Sequence, residues 1–421
     1  MDSLVIEGGS RLQGEVTISG AKNAVLPIMA AALLTEEPCT IRRAPNLSDV
    51  RFMGRILESL GAEVAIDGDT ITIQSKEIHG RGDYDLIRKM RGSVCILGPL
   101  LARLGKAEVS LPGGCVIGSR PIDLHLKGME ALGGQVEIRS GYVMVRAPEL
   151  VGSQVFLGGR VGPTVLGTAN VMMAAAVARG RTVIESAACE PEIVDLANFL
   201  NGMGGRVEGA GSPTITIDGV EALHGVDHEV IPDRIEAATF AIAAAVSEGE
   251  VIIHGARCEH MGAVLDKLTE AGVSYSRGEN SLRVQGGRPL KPVDVTTQPF
   301  AGFPTDVQAQ MMALMTLTKG ISVITERIFE SRFMHVSELA RLGAEIAIEG
   351  ASTAIVKGGR PLSGAPVMAS DLRASAALVI AGLVADGETT VKRIYHLDRG
   401  YERIDEKLEQ LGGRVRRLAE S

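Results

Sequence analysis

The segment LGAEV, residues 60–64, has five further copies along the chain. The copies read LGGQV, MGGRV, AGVSY, LGAEI and LGGRV, and they begin at residues 132, 203, 271, 342 and 411. Successive copies are therefore 72, 71, 68, 71 and 69 residues apart. Because self-similarity at a nearly fixed period marks a repeated structural element, the spacing predicts a chain built from six similar repeats.

The residues around each copy follow a common order of patterns. First comes a stretch that is apolar almost all round, such as DLRASAALVIAGLV at residues 371–384, and this is typical of a buried helix. A turn, mostly at glycine, leads to a β-branched strand such as EVIIHG at residues 250–255. An amphipathic helix then ends at the glycine of the copy, which predicts a glycine C-cap. Each repeat is therefore predicted to be roughly β-α-β-α-β-β.

Six such repeats are expected to form two lobes of an α/β protein. A single repeat cannot cover its own apolar helix, so the repeats must pack together with the Ala-rich helices inside and the sheets outside. A crossover is expected near residues 227–232, with the N-terminal strand completing the second lobe. We expect one lobe over residues 22–229 and the other over residues 1–21 plus 230–421. A solenoid of βαβ elements is the competing architecture.

Composition and charge exclude several classes of function. The chain has 421 residues, of which 45% are hydrophobic and 22% charged, as in globular proteins. Its net charge of −8 argues against a nucleic-acid partner. We find no signal peptide and no apolar run of membrane-spanning length, so we expect a cytoplasmic protein without membrane contact. The five cysteines form no C-x-x-C pair, which predicts neither a disulfide framework nor a metal site.

The second repeat departs from the others in length. From its turn glycine to its copy of LGAEV it takes 27 residues, whereas the third to sixth repeats take 22 to 24. The additional residues lie in PGGCVIGS, residues 112–119, and place Cys115 on a glycine-rich insertion shortly before Arg120. A positive charge beside a thiol favours the reactive thiolate. Cys115 is therefore a candidate for a reactive lid, and a spectator thiol on a loose loop is the alternative.

Charged and polar side chains stand at the start of several buried helices. The aspartates have a simple explanation, since Asp is a common N-cap. Cations are disfavoured at this end by the helix dipole, but they can join the free N–H groups there in binding an anion. The residues concerned are Lys22, Asn23, Arg91, Asp233, Arg234, Asp306, Asp371 and Arg373.

Three arginines occupy one equivalent place, the loop that enters the second helix of a repeat. They are Arg120, Arg332 and Arg399. Equivalent positions in related repeats are expected to converge, and with Lys22 these arginines would make a strong site for a small, multiply charged anion. Taken singly, each of them is more often a solvated surface charge.

The motifs that hold these residues resemble those of the enolpyruvyl transferases, over essentially the whole chain. They read GAKNA, PGGCVIGSRPIDLH, EPEIVDLANFL, FPTDVQAQ, RFMHVSEL and DRGYERI, and begin at residues 20, 112, 190, 303, 332 and 398. The resemblance implies a two-lobed inside-out α/β barrel, with six β-α-β-α-β-β repeats, three per lobe. It also implies transfer of enolpyruvate from phosphoenolpyruvate to the 3-hydroxyl of UDP-N-acetylglucosamine, with release of phosphate, at the start of bacterial peptidoglycan synthesis. No metal and no other cofactor is implied.

The resemblance also implies roles for individual residues. Cys115 forms a covalent adduct with phosphoenolpyruvate and acts as general acid at its methylene carbon. Asp306 lies beside the 3-hydroxyl of the sugar and accepts its proton. The contacts with phosphoenolpyruvate are made by Lys22, Asn23, Arg120 and Arg399.

A longer set of residues is implied to contact the nucleotide sugar. It consists of Arg91, Arg120, Pro121, Ile122, Asp123, Leu124, His125, Arg160, Val161, Gly162, Asp306 and Ile328. Arg332 and Asp371 belong to matching motifs and are assigned to substrate binding without a defined contact. The stretch GGRVGPT, residues 158–164, lacks a lysine and a serine that the family often has, so its diphosphate contacts are expected to run through Arg160.

Two other functions stay open at this point. The enolpyruvyl transferase that acts on shikimate 3-phosphate shares the implied architecture, but its relatives lack the cysteine loop. A catalytically silent repeat scaffold that binds a nucleotide sugar is the second alternative. Release of phosphate on mixing the two substrates would separate all three.

Overall fold

The computed structural model describes residues 2–111, 122–287 and 289–419. These residues form two compact units. The central unit comprises residues 20–111 and 122–231, and the terminal unit comprises residues 2–19 together with 232–287 and 289–419. Each has its own hydrophobic core.

Helices occupy both units. In chain order they are α1 (Lys22–Ala31), α2 (Ser48–Ser59), α3 (Tyr84–Ile87), α4 (Leu97–Leu104), α5 (Asp123–Ala131), α6 (Val165–Ala175), α7 (Pro191–Gly202), α8 (Arg234–Val246), α9 (Gly262–Glu270), α10 (Gln308–Met315), α11 (His335–Arg341), α12 (Leu372–Gly382) and α13 (Ile404–Gln410). None of them, within the described ranges, is both long and apolar enough to cross a membrane.

Most strands are short, as expected for a protein with many turns. In the first half of the chain they are β1 (Ser3–Glu7), β2 (Gln13–Thr17), β3 (Cys39–Arg42), β4 (Glu63–Asp67), β5 (Thr70–Gln74), β6 (Lys106–Ser110), β7 (Gln135–Arg139), β8 (Tyr142–Arg146), β9 (Gln154–Phe156), β10 (Gly158–Gly159), β11 (Gly162–Pro163) and β12 (Arg181–Glu185). In the second half they are β13 (Val207–Glu208), β14 (Thr214–Asp218), β15 (Asp227–Glu229), β16 (Glu250–His254), β17 (Ser274–Arg277), β18 (Ser281–Gln285), β19 (Val295–Thr296), β20 (Gly320–Thr325), β21 (Glu345–Glu349), β22 (Thr353–Gly358), β23 (Pro366–Met368), β24 (Glu388–Lys392) and β25 (Arg414–Leu418).

The sheets combine parallel and antiparallel pairs in one recurring arrangement. In the central unit the four-stranded sheets run β15-β3-β5-β4 and β13-β14-β12-β9, and in the terminal unit β17-β18-β16-β2 and β19-β20-β22-β21. In each of them a short parallel strand borders the strand that precedes the amphipathic helix, and a hairpin follows that helix. The sheet β6-β8-β7 has three strands, and the parallel bridge between Arg81 and Glu108 lies where the others have a fourth. The fold is thus α/β with mixed sheets.

The N-terminal strand β1 lies inside the sheet β23-β24-β1-β25. It pairs antiparallel with β24 on one side and with β25 on the other, in a register that sets Ser3 opposite Leu418. Leu4 and Ile6 are fully buried there. The last sheet of the terminal unit is therefore completed from the opposite end of the chain.

The predicted glycine C-caps are confirmed. The glycine of each LGAEV copy follows the amphipathic helix and has a φ between 86° and 101°, a left-handed conformation in which glycine carries no Cβ penalty. The six residues are Gly61, Gly133, Gly204, Gly272, Gly343 and Gly412.

The predicted Ala-rich helices are buried, although some of the predicted stretches begin as 3₁₀ helix. Almost every residue of α6, α8 and α12 is inaccessible to solvent. The stretch from residue 91 to 104, however, begins as a 3₁₀ helix, Arg91–Ile96, and becomes α-helical only at Leu97. The hydroxyl of Ser93 hydrogen-bonds the carbonyl oxygens of Ile87 and Met90, and such side-chain bonds compete with regular helical geometry.

Candidate functional site

Lys22 is the first residue of α1 and forms a buried ion pair. Its Nζ lies 2.7 Å from Oδ2 of Asp49, in the first turn of α2, and both side chains are at most a tenth exposed. The Asp49 carboxylate offsets the unfavourable position of a cation at a helix N-terminus. No side-chain cap is described at this end of α1. The central unit thus presents a buried ammonium group at a helix start.

Two of the aspartates at helix starts are ordinary caps. The carboxylate of Asp233 accepts hydrogen bonds from the N–H groups of Ile235 and Glu236, at 2.8 and 3.2 Å. Asp371 caps α12 in the same way, through residues 373 and 374. For the carboxylate oxygens of these two residues, capping is the observed role.

Asp306 does not cap its helix. It lies in the 3₁₀ turn Thr305–Val307, and α10 begins after it without a side-chain cap. Its Oδ1 accepts a hydrogen bond from Nη1 of Arg332 at 2.9 Å, and its Oδ2 lies 3.4 Å from Nε of Arg373. Both arginines are buried, whereas the Asp306 side chain is a quarter exposed. Two cations therefore orient a carboxylate that solvent can still reach.

A second contact fixes the backbone of Asp306. Nε2 of Gln310 donates to the Asp306 carbonyl oxygen at 2.9 Å and lies 3.1 Å from the Tyr401 hydroxyl. The ring of Tyr401 also faces Arg373, whose guanidinium carbon is 5.1 Å from the ring centre. Such a cation–π contact supports a buried charge. Tyr401 thus contacts both Gln310, which bonds the backbone of Asp306, and Arg373, which pairs with its carboxylate.

His125 is held neutral in the central unit. Its Nδ1 accepts a hydrogen bond from the Asn170 amide at 2.9 Å, while that amide also donates to the Val94 carbonyl and accepts from Gly98 N–H. Burial lowers the pKa of His125 to about 3, and the positive charge of Arg91 acts in the same direction. Because Nδ1 is an acceptor, the ring proton lies on Nε2. His125 can therefore donate one hydrogen bond from Nε2 and carries no charge at neutral pH.

The residues that follow the cysteine insertion lie beside the short β10-β11 hairpin. Ile122 and Asp123 begin α5. A Cβ added to Gly159 would lie 3.0 Å from Leu124 Cδ1, which shows how closely this segment approaches the hairpin. Arg160 and Val161 form the tip, and the φ of Gly162 is 110°. The structure therefore brings together two segments, residues 122–125 and 158–163, that contain residues which the family resemblance assigns to the nucleotide sugar.

Other predicted residues lie in the terminal unit. Burial lowers the pKa of His335 to about 4, with Arg332 adding to the shift and Asp371 opposing it. Burial also lowers the pKa of His396, as does the charge of Arg399 nearby. Predicted residues 332, 371 and 399 thus each interact electrostatically with a histidine whose pKa lies below its ordinary value.

Three predicted residues, Cys115, Arg120 and Pro121, lie outside the described residues. The other four cysteines are reduced thiols. Burial raises the pKa of Cys39 to about 11 and that of Cys95 to about 12, so both thiols are un-ionised at neutral pH. Neither is therefore a candidate nucleophile, because the thiolate is the reactive form.

Sequence reasoning missed several partners of the predicted residues. The predicted residues Lys22, His125, Ile328 and Arg373 contact the buried residues Asp49, Asn170, Glu326 and Tyr401, respectively. Two left a trace in the sequence, since Asp49 stands in the first turn of an amphipathic helix and Glu326 directly follows a β-branched strand. Their partners, however, are distant in sequence, and the pairing requires the fold.

Taken together, the described residues can bind anions and move a proton. The central unit contains the Lys22 ammonium group and the neutral imidazole of His125. The terminal unit contains a partly exposed carboxylate held by two arginines. Such a carboxylate can accept a proton from a hydroxyl group that approaches its open side. Within the described residues, no cluster of three or more His, Cys, Asp and Glu could hold a metal ion.

Comparison with known proteins identifies close relatives. The family described as EPSP synthase (3-phosphoshikimate 1-carboxyvinyltransferase) matches residues 6–408. The UDP-N-acetylglucosamine 1-carboxyvinyltransferase of Methylacidiphilum infernorum is 54% identical over 418 residues, which cover 99% of both chains. The enzyme of the same name from Desulfatibacillum aliphaticivorans is 55% identical over 419 residues, 99% of this chain and all of the relative.

Solved structures show the same similarity at the level of the fold. The enolpyruvyl transferase NikO from Streptomyces tendae superimposes with a TM-score of 0.90 at 28% identity, over all of this chain and 99% of the other. An EPSP synthase from Acinetobacter baumannii superimposes with a TM-score of 0.74 over the whole of both chains. At 17% identity, that second likeness concerns the fold alone.

Proposed function

The chain belongs to the EPSP synthase family and, within it, to the UDP-N-acetylglucosamine 1-carboxyvinyltransferases, and we propose that it transfers enolpyruvate from phosphoenolpyruvate to the 3-hydroxyl of UDP-N-acetylglucosamine. Phosphate is the second product, and the reaction is the first committed step of peptidoglycan synthesis. The observation that carries this proposal is the identity of more than half of all positions over the full length of relatives with that name.

The reaction requires proton transfers in two stages. In the addition, the methylene carbon of phosphoenolpyruvate takes a proton, and the sugar oxygen bonds to the neighbouring carbon as it loses its own. In the elimination, phosphate leaves and the new methyl group gives up a proton, which restores the double bond. A general acid therefore has to lie next to the methylene carbon, and a general base has to lie next to the sugar hydroxyl.

Cys115 is the proposed acid at the methylene carbon, and the thiolate left after this proton transfer would form the covalent adduct by bonding to the neighbouring carbon in place of the sugar oxygen. Asp306 is the proposed base. Its support is geometric, because the carboxylate is oriented by Arg332 and Arg373 and is not used as a cap. Arg332 is accordingly proposed to act in the site through Asp306, and Asp371 through its cap on α12 and its closeness to His335.

Phosphoenolpyruvate carries several negative charges, and cations are proposed to hold it. Lys22 and Asn23 at the start of α1, with Arg120 and Arg399, are the proposed contacts. The buried ion pair between Lys22 and Asp49 supports this, since it holds the ammonium group at a helix N-terminus, where the helix dipole also favours an anion. Preorganised cations stabilise the charge that develops as phosphate leaves.

The nucleotide sugar is proposed to contact two neighbouring segments of the central unit and some further residues. Residues 120–125 and Arg160, Val161 and Gly162 supply contacts from the central unit, together with Arg91. The close approach of Leu124 to the β10-β11 hairpin supports a joint role for the two segments. Ile328 is a further proposed contact.

The finer architecture is proposed on the same basis. We propose six β-α-β-α-β-β repeats arranged as two inside-out α/β barrels, with lobes at residues 22–229 and at residues 1–21 plus 230–421. The recurring strand order of the sheets supports the repeats. The division of the chain into two compact units near residues 20 and 231 supports the lobes.

The protein is proposed to work in the cytoplasm and without a cofactor. Both proposed substrates are phosphorylated metabolites of that compartment, and the reaction changes no oxidation state. No membrane and no nucleic acid is proposed as a partner.

Phosphate release tests the proposed function directly. The purified protein should release phosphate only when phosphoenolpyruvate and UDP-N-acetylglucosamine are both present, and mass spectrometry should find the enolpyruvyl ether of the nucleotide sugar. Shikimate 3-phosphate in place of the nucleotide sugar is the matched control. Turnover with shikimate 3-phosphate alone would reassign the acceptor, and no turnover with either acceptor would leave a binding scaffold.

A further inference from the structure

Glu326 is a buried carboxylate with no role in the reaction described so far. It follows β20 and is fully inaccessible to solvent. Its Oε1 accepts hydrogen bonds from the backbone N–H groups of Ile328 and Phe329, at 2.8 and 3.0 Å. The same oxygen accepts from the Thr297 hydroxyl at 2.7 Å. One carboxylate oxygen thus fixes the segment that contains the proposed nucleotide-sugar contact, Ile328.

The other oxygen of Glu326 points to the proposed base. Oε2 accepts a hydrogen bond from the Thr305 hydroxyl at 2.8 Å, and Thr305 directly precedes Asp306. Nη1 of Arg332 donates both to the Thr305 hydroxyl oxygen, at 2.8 Å, and to Asp306 Oδ1, at 2.9 Å. A continuous chain of hydrogen bonds therefore connects Ile328 with Asp306 through Glu326.

The donor and acceptor roles along this chain are settled by elimination. Arg332 can only donate, so the Thr305 oxygen accepts from it and the Thr305 hydrogen is directed to Glu326. The Thr297 oxygen accepts from Arg327 N–H at 2.9 Å, which directs its hydrogen to Glu326 as well. All four partners of Glu326 are thus donors, and the carboxylate accepts from each. The residue cannot rearrange without leaving a buried group unpaired, which is costly.

Arg332 connects the two ends of this chain of hydrogen bonds by a second route. Its guanidinium carbon lies 5.6 Å from the ring centre of Phe329, and its backbone N–H donates to the Phe329 carbonyl oxygen. A displacement of residues 328–329 would therefore act on both hydrogen bonds of the Arg332 Nη1 group. The segment proposed to contact the nucleotide sugar and the carboxylate proposed to accept its proton are therefore linked by two sets of contacts.

We propose that Glu326 is a positioning residue, which couples the nucleotide-sugar segment around Ile328 to the orientation of Asp306. The proposal rests on the proposed function, because it takes the roles of Ile328 and Asp306 from there. Glu326 touches no reacting atom. It acts through Thr305 and Arg332, and its contribution is to hold Asp306 in place when the acceptor sugar is bound.

Steady-state kinetics separate an effect on the Ile328 segment, which would change KM, from an effect on Asp306, which would change kcat. Glu326→Gln keeps an oxygen for the backbone N–H groups of residues 328–329 but turns an amide donor toward Thr305. Thr305→Val removes the hydroxyl at nearly constant volume. We expect kcat for phosphate release to fall by at least about tenfold in each variant, with KM for UDP-N-acetylglucosamine changed by less than about threefold. Thr305→Ser, which keeps the hydroxyl, should recover most of kcat.

A double-mutant cycle shows whether the effect passes through Asp306. In single turnover, Thr305→Val should slow the unmodified protein by at least about tenfold but the Asp306→Asn variant by less than about twofold. Glu236→Gln changes an equally buried carboxylate, paired with Lys407 at 2.6 Å, and is the control for general damage. Thermal melts of all variants check that they are folded.

Each outcome assigns the failure to one proposal. If Asp306→Asn turns over at the unmodified rate, the role of Asp306 in the proposed function is wrong. If Asp306→Asn is slow while Glu326→Gln and Thr305→Val keep full kcat, or change KM alone, Glu326 only shapes its segment and the positioning role is overturned. Equal slowing by Thr305→Val in both backgrounds would overturn it too.

Discussion

Residues of one type, in similar sequence positions, have different roles in this protein. Asp233 and Asp371 close their helices with ordinary N-terminal caps, whereas Asp306 leaves its helix uncapped and pairs with two buried arginines. From sequence, capping is the better explanation for any one of the three. The difference follows from the side chains of Arg332 and Arg373, which the fold brings to Asp306 from other elements.

The carboxylate of Asp306 should matter for turnover more than for binding. Asp306→Ala should lower kcat by about 100-fold to 10,000-fold, the range for a lost general base, and should change KM for the nucleotide sugar much less. Steady-state phosphate release measures both. Asp266→Asn, on the exposed face of α9, is the control and should be unaffected. An unchanged kcat for Asp306→Ala would remove this residue from the chemistry.

The thiol of Cys115 should be alkylated by an epoxide phosphonate, because its thiolate can open the epoxide ring. Incubation with fosfomycin should add one inhibitor molecule to the unmodified protein, and Cys115→Ser should show no addition by intact-protein mass spectrometry. Cys39→Ser is the control. It should still add one inhibitor molecule, because the buried Cys39 thiol is un-ionised and should not be the site of reaction. Labelling that persists in Cys115→Ser would show that the glycine-rich insertion is not the reactive loop.

At the level of helices, a single amide joins three elements of the central unit. Asn170 of α6 binds the carbonyl of Val94, the N–H of Gly98 and the ring of His125. Gly98 permits this approach, because a Cβ there would lie 2.3 Å from the Asn170 carbonyl oxygen. The helices themselves could be predicted from their apolar patterns. Their contacts could not, since nothing in a local pattern states that positions 98, 125 and 170 meet.

Burial of the neutral His125 should make the central unit sensitive to acid. The pKa of His125 is about 3 in the folded protein and about 6.5 in an unfolded chain. Between these values the unfolded chain binds a proton that the folded protein does not. The free energy of unfolding should therefore fall by about 1.4 kcal/mol per pH unit as the pH drops below 6.5.

Urea titrations at pH 7 and pH 5 measure this loss. His125→Gln should be less stable than the unmodified protein at pH 7 but should lose less stability on acidification. His79 is exposed, so His79→Gln should keep the full pH dependence. Equal acid sensitivity of the His125→Gln variant and the unmodified protein would exclude His125 as the cause.

In the whole molecule, the terminal unit depends on both ends of the chain. Strand β1 lies between β24 and β25, with Ser3 opposite Leu418. In the sheet β19-β20-β22-β21 the corresponding two strands, β21 and β22, form a continuous hairpin. Strands β25 and β1 therefore correspond to the two strands of a hairpin, but no turn connects them. We infer that this strand pairing does not depend on a covalent connection at the turn.

A circular permutant tests this interpretation. We join residue 419 to residue 2 through a short turn and open the chain between Gly350 and Ala351, at the tip of the β21-β22 hairpin. The permutant should keep its phosphate-release activity and melt within about 5 °C of the unmodified protein, because the strand pairs are preserved. Deletion of residues 2–7 is the contrasting variant, and it should not fold because two strands lose their partner. Unfolding of the permutant would show that the order of the strands along the chain is essential.

The amino-acid sequence by itself determined the elements of this protein and their recurrence. Apolar helices, glycine C-caps and the spacing of the LGAEV copies are local patterns, and local backbone geometry and amphipathicity are enough to produce them. Only the tertiary structure decided which polar groups meet. The pairs of Lys22 with Asp49 and of Asp306 with Arg332 and Arg373, and the bonds of Glu326 with Thr297 and Thr305, join residues from different elements. Their cause is that a charge or hydrogen-bonding group, once buried, must find a partner wherever the packing brings one within reach.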